Sequence, residues 1–137
     1  MKFELHPRLK QDTHFVSDLP LSRLLLMNDE RFPWLVLVPR KNHIIEIHEL
    51  GTADQARLLL EITELSKTLK QCFNADKMNV ATIGNLVSQF HVHIVARIKN
   101  DVAWPSPVWG YGQPIPYPEQ QSEIILNKIR HDLTHIL

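Results

Sequence analysis

Apolar and polar positions divide the chain into segments before any chemistry is considered. Leu24-Leu25-Leu26-Met27 is a short apolar run stopped by Asn28-Asp29-Glu30-Arg31. Trp34-Leu35-Val36-Leu37-Val38 follows the turn at Phe32-Pro33 and ends at Pro39. Two bulky runs joined by a short polar turn predict an antiparallel strand pair. Ile44-Ile45-Glu46-Ile47 then predicts a third short strand or an extended connection. Beyond it the period lengthens: Leu58, Ile62, Leu65, Leu69 and Phe73 mark one apolar stripe of a helix lying on a sheet. Thr52 and Gln55 match a capping box, with Gly51 before them to turn the chain. Cys72, beside the stripe, reads as a small core residue.

After Asn74-Ala75-Asp76 the pattern becomes extended again. Met78 to Ile83 predicts a strand, Gly84-Asn85 its turn, and Ser88 to Ile98 a second strand. Pro105, Pro107, Pro114, Pro116 and Pro118 then exclude regular structure up to Glu119. Pro118 suits the first residue of a last helix that buries Ile125, Ile129, Leu133 and Ile136. The order of elements predicts one α+β domain over residues 1–137, built on a mostly antiparallel sheet with one long covering helix and a C-terminal helix. Its core spans 20–110, and 101–137 adds the proline-rich loop and that last helix.

One strand carries the chemistry. Alternate side chains share a face, so Gln89, His91, His93, Val95 and Arg97 point one way. Phe90, Val92, Ile94 and Ala96 point the other and are all apolar, which predicts one face on the core and one toward a polar site. A slip of one residue would bury both imidazoles, so the apolar set fixes the register. Imidazoles about 6 to 7 Å apart along a strand suit phosphoryl chemistry. A neutral ring can attack phosphorus, while a second ring on the same face hydrogen-bonds the developing charge.

Bulk properties narrow the classes. Fifteen Lys and Arg balance fifteen Asp and Glu, so no net field argues for nucleic acid or a membrane surface. Cys72 is the only cysteine and has no intramolecular partner, which fits a reducing compartment. Met1-Lys2-Phe3-Glu4-Leu5-His6-Pro7 has no apolar run after its charge and is not expected to be a signal peptide. A cytoplasmic location is the expectation.

Gln89-Phe90-His91-Val92-His93-Ile94-Val95 resembles the His-φ-His-φ-His-φ-φ signature (φ apolar) of the histidine-triad (HIT) nucleotide hydrolases and transferases. Two of three histidines and all four apolar positions match. Upstream, Leu35-Val36-Leu37-Val38-Pro39-Arg40-Lys41-Asn42-His43-Ile44 resembles that family's Leu-Val-Ile-Pro-Lys-x-His-Ile segment. The resemblance implies a HIT-like fold and cleavage of a phosphoanhydride or phosphoramidate at the α-phosphate of a nucleotide. Dinucleoside polyphosphates and nucleoside phosphoramidates are the implied substrates. It also implies that His91 is the nucleophile and that His93 holds the phosphate region. Gln89 stands in for the first histidine, and an amide keeps a donor and an acceptor but cannot become charged. Asn28 corresponds to the ribose-binding position, Asn79 to a common strand asparagine and Asn85 to a phosphate contact. A homodimer joined through the long helix and adjoining strand is implied; no cofactor is. Trp34 departs from the family where many members have a further histidine. Leu86 replaces a common Ser or Thr, and the stretch from Asn79 to His91 is shortened.

Two alternatives stand beside this reading. Gln89 motivates a nucleotide-binding module that has lost efficient catalysis. Zinc held by His91 and His93 would need further ligands, which His131 and His135 would have to bring. Trp104 and Trp109 either cap the core or a subunit interface, or one of them closes over the site and contacts the substrate. Arg97 either neutralises a phosphate or makes an exposed ion pair.

Overall fold

The computed structural model describes residues 2–134. The predicted pair is β2 (Ser22–Met27) and β3 (Trp34–Pro39), antiparallel with Leu24 opposite Leu37. Helix α2 (Thr52–Cys72) leads to β4 (Lys77–Ala81), β5 (Val92–Arg97) and finally α3 (Glu119–Asp132). Two elements precede them: α1 (Pro7–Asp12) and β1 (Thr13–Asp18). The sheet order is β1-β2-β3-β5-β4, every neighbour antiparallel. The α+β architecture agrees with the sequence reading.

Because β5 inserts between β3 and β4, the histidine strand is interior, and this changes what its two faces meet. Phe90, Val92, Ile94 and Ala96 enter a core with Leu58, Leu65 and Leu69 of α2 and Ile125 and Ile129 of α3. The opposite face, predicted to look toward a polar site, is covered too. Val95 packs there with Leu25, Trp34, Val36 and Val38, under Leu9 of α1 and Ala103 and Val108 of the loop after β5. All six residues of β3 are buried, as expected of a strand enclosed on both sides.

Several boundaries differ from the sequence reading. The expected strand from Ser88 to Ile98 begins only at Val92, and before it Phe90 N–H donates to Ile44 O at 2.8 Å. Ile44–Ile47 forms the extended connection, not a third strand, and runs into a 3-10 turn at Ile47–Glu49. Thr52 does not cap α2. Gly51 holds the extended N-cap position and Thr52 is already helical, while Gln55 Nε2 donates back to Leu50 O. Pro118 likewise caps α3 from outside, its carbonyl accepting Ser122 N–H. In α2 the stripe buries Leu58, Leu65 and Leu69 as expected, together with Glu61, whose carboxylate accepts Leu21 N–H at 2.9 Å. Ile136 and His135 lie outside the described residues. Among the described residues no helix is long and apolar enough to cross a membrane.

Candidate functional site

His91 and His93 are each 6% exposed and stand edge-to-face, ring centroids 4.8 Å apart. They border a cavity of ≈ 390 Å³, a size that suits a small-molecule ligand. The segment after β4 supplies Gly84, Asn85 and Leu86 to it, the loop after β5 supplies Trp109, and α1 supplies Arg8, Leu9 and Asp12. A larger cavity, ≈ 540 Å³, lies beside β1 and β2, but it holds neither histidine, and its Arg23 is paired with Asp18. The chemistry favours the smaller one.

Two hydrogen bonds give the rings opposite characters. His91 Nδ1 lies 2.7 Å from the Gln89 carbonyl oxygen, which can only accept, so Nδ1 carries the hydrogen and Nε2 keeps its lone pair. His93 Nδ1 faces the indole Nε1–H of Trp34 at 3.0 Å. An indole can only donate, so His93 Nδ1 accepts and its hydrogen sits on Nε2. The cavity therefore has one basic imidazole nitrogen and one N–H donor on neighbouring rings.

Burial keeps both rings neutral. His91 is lowered from the ordinary imidazole value by desolvation, against the Gln89 hydrogen bond and with a smaller push from His6. His93 is pushed down to about 3, chiefly by burial and then by the neighbouring His91. Trp34 and Trp109 both meet the His93 ring edgewise, at 5.6 and 5.5 Å. Trp109 Nε1 is buried without an acceptor.

The other sequence candidates are distributed differently. Asn85 borders the cavity. Asn28 Oδ1 accepts Tyr117 N–H at 3.0 Å, and Asp29 accepts from Arg31 and Ile115, so this turn fastens the proline-rich loop. Asn79 Oδ1 accepts from Arg97 Nη1 at 2.9 Å. Neither Asn28 nor Asn79 borders the cavity. Gln89 points away from it: its Oε1 accepts His6 N–H at 2.8 Å and its Nε2 donates to Glu4 O at 2.9 Å.

Arg97 is neither exposed nor at the cavity. It is 1% exposed, clamps Asp101 through two bonds, and donates to Ser106 O, with Phe32 and Trp104 against its guanidinium. It anchors the loop that delivers Trp109, while Trp104 stays on Arg97. His131 sits with Cys72 between α2 and α3, across the sheet from His91 and His93. The Cys72 thiol is pushed up to about 11, mainly by burial. Among the described residues no cluster of three or more metal-ligating side chains occurs.

Sequence reasoning missed α1 as a cavity wall and Trp34 as the partner of His93. The second had a trace, since Trp34 stands at a departure from the family pattern.

Comparison with known proteins agrees with the fold. A family model described as HIT domain matches residues 8–100. The crystal structure of a histidine triad protein from Marinobacter aquaeolei is 44% identical, covering 100% of both chains at a TM-score of 0.97. One from Bradyrhizobium japonicum is also 44% identical, covering 96% of this chain and 98% of its own at 0.94. A diadenosine triphosphate hydrolase from Plasmodium falciparum shares the fold at 17% identity, covering 98% of this chain and 85% of its own at a TM-score of 0.68. A search of curated protein sequences returns no match.

Proposed function

The chain belongs to the histidine-triad family, whose members are typically nucleotide hydrolases, and from that premise we propose that it cleaves a nucleotide substrate at the α-phosphate through a covalent link to His91. The observation that carries this reading is the pairing of opposite tautomers, a free Nε2 on His91 beside an Nε2–H on His93. His91 Nε2 forms a bond to phosphorus. The bond to the leaving oxygen or nitrogen breaks, and its electron pair departs with the leaving group, which takes a proton from solvent. His93 donates to a phosphate oxygen as charge builds on it.

The Gln89 carbonyl matters in the second half. Because Nδ1 keeps its hydrogen, the nucleotidylated ring carries a positive charge and is a good leaving group. Water attacks phosphorus, the N–P bond breaks, and its electron pair returns to Nε2. The surplus proton passes to solvent, giving a nucleoside monophosphate. Asn85, which borders the cavity, is the residue this reading assigns to the phosphate or leaving group. The amide oxygens of Asn28 and Asn79 are engaged within the fold, and this reading does not need them.

Substitution of the first triad position does not weaken the case, because the Gln89 side chain faces away from the cavity. The reading favours turnover over mere binding. Dinucleoside polyphosphates and nucleoside phosphoramidates are the substrate classes, acted on in the cytoplasm by a homodimer. Support for the dimer comes from β4, an edge strand with Val80 exposed, and from Leu59 and Leu60 exposed on α2. Initial rates on AMP phosphoramidate and diadenosine triphosphate test the function. Hydrolysis of at least one, lost in His91→Ala, is expected; inert wild type toward both, or full activity in the variant, contradicts it.

A further inference from the structure

We propose that Gln89 is a positioning residue: together with Asn42 it clasps the extended N-terminal segment, and through that segment it holds α1 in place as a wall of the His91 cavity. The inference rests on reading that cavity as the nucleotide site.

Two side-chain amides grip alternate residues of this segment. Asn42 Nδ2 donates to Lys2 O at 3.0 Å, and Asn42 Oδ1 accepts Glu4 N–H at 3.4 Å. Gln89 Nε2 donates to Glu4 O at 2.9 Å, and Gln89 Oε1 accepts His6 N–H at 2.8 Å. Residues 2, 4 and 6 thus present one edge, as a strand presents it to a neighbour, and two carboxamides replace the neighbour's peptide groups. Phe3 and Leu5, at the alternate positions, pack on the second apolar cluster. The amide of Gln89 presents its acceptor and its donors side by side, as this double contact requires.

From the clasp a short relay reaches the cavity. His6, held by its N–H, turns its imidazole onto α1, where Nδ1 accepts Arg8 N–H at 3.0 Å, and Pro7 opens the helix. Arg8, Leu9 and Asp12 of that helix border the cavity together with the segment that carries Asn85. The Gln89 side chain itself sits in a separate depression with Lys2, Glu4, Asn42 and His43. An imidazole at position 89 cannot reproduce the grip, because its N–H and its lone pair point to opposite sides of the ring, whereas the carboxamide presents donor and acceptor side by side to Glu4 O and His6 N–H. Completing the histidine triad would therefore release the segment.

The test compares wild type with Gln89→His, Gln89→Ala and Asn42→Ala in the full chain. In the Gln89 variants the His6 amide hydrogen should exchange about tenfold faster, the change expected for one lost hydrogen bond. Glu4 N–H should respond in Asn42→Ala. For AMP phosphoramidate, KM should rise about threefold to tenfold with kcat within about twofold, the signature of lost binding with chemistry intact. Gln89→Glu keeps the acceptor for His6 and should fall between wild type and Gln89→Ala. A higher kcat in Gln89→His, or unchanged His6 exchange in Gln89→His and Gln89→Ala, overturns the proposal. Exchange is read without substrate, so failure of the clasp and failure of the enzymatic reading are told apart.

Discussion

The indole N–H of Trp34 points at Nδ1 of His93 at 3.0 Å, and this one bond decides which end of the buried imidazole is the donor. Trp34→Phe keeps an aromatic ring on the core but removes the hydrogen. His93 should then populate both neutral tautomers, visible in nitrogen-15 spectra of the labelled ring. Leaving the buried Nδ1 unpaired costs about 1–3 kcal/mol of stability, and kcat/KM should fall because part of the His93 population no longer offers Nε2–H to the phosphate. Unchanged tautomer and unchanged rate would show that Trp34 has no such role.

Buried neutral histidines make the protein sensitive to acid. His93 has a folded value of about 3 against an ordinary 6.5. The sign follows from proton uptake: below 6.5 the unfolded chain binds a proton that the folded chain refuses. Stability is therefore lost as pH falls from about 6.5 toward 3, by about 1 kcal/mol per pH unit from this ring. His91, lowered in the same direction, adds to the loss at the upper end of that window. Denaturant melts across this range should show the slope, and His93→Asn should flatten it. An equal slope in the variant would assign the acid sensitivity elsewhere.

Arg97 and Asp101 form a buried ion pair, and here the pH sign comes from a carboxylate. Burial would raise Asp101, but hydrogen bonds from Arg97, Trp104 N–H and Ala103 N–H hold it below the usual carboxylate range. Its contribution is present above that range and is lost as acid titrates the carboxylate. Arg97→Met strands the carboxylate and should destabilise the fold by about 3–5 kcal/mol, measured by chemical denaturation. Activity of the folded fraction should also fall, because the loop that carries Trp109 loses its anchor. A loss under about 1 kcal/mol would place the pair among ordinary surface ion pairs.

The parts of the fold legible in the sequence were those written locally. Trp34 to Val38 is one apolar run, and Phe90, Val92, Ile94 and Ala96 alternate without interruption, so their strand pairing and core face could be read directly. Strand β1 was not legible: Thr13 to Asp18 has only Phe15 and Val16 as strongly apolar residues, and an irregular register between Phe15 and Ser17 breaks its alternation. The second cover over the histidine face was also invisible, since Leu9 and Val108 come from segments without a clear period. The site showed the same division. His91 and His93 were identified from two-residue spacing, whereas the groups controlling them act over long separations. Trp34 meets His93 across 59 residues, and Gln89 meets His6 across 83. Asn28 and Asn79 were read by position alone, and position did not reveal that Tyr117 and Arg97 engage their oxygens.

His91 as nucleophile is tested most directly by intact-mass measurement after brief exposure to AMP phosphoramidate and a quench in mild base, which preserves a phosphorus–nitrogen link. One added adenylyl group is expected on wild type, located at His91 by peptide mapping, and none on His91→Ala. An adduct that survives His91→Ala, or none on a wild type that turns the substrate over, would contradict His91 as the nucleophile.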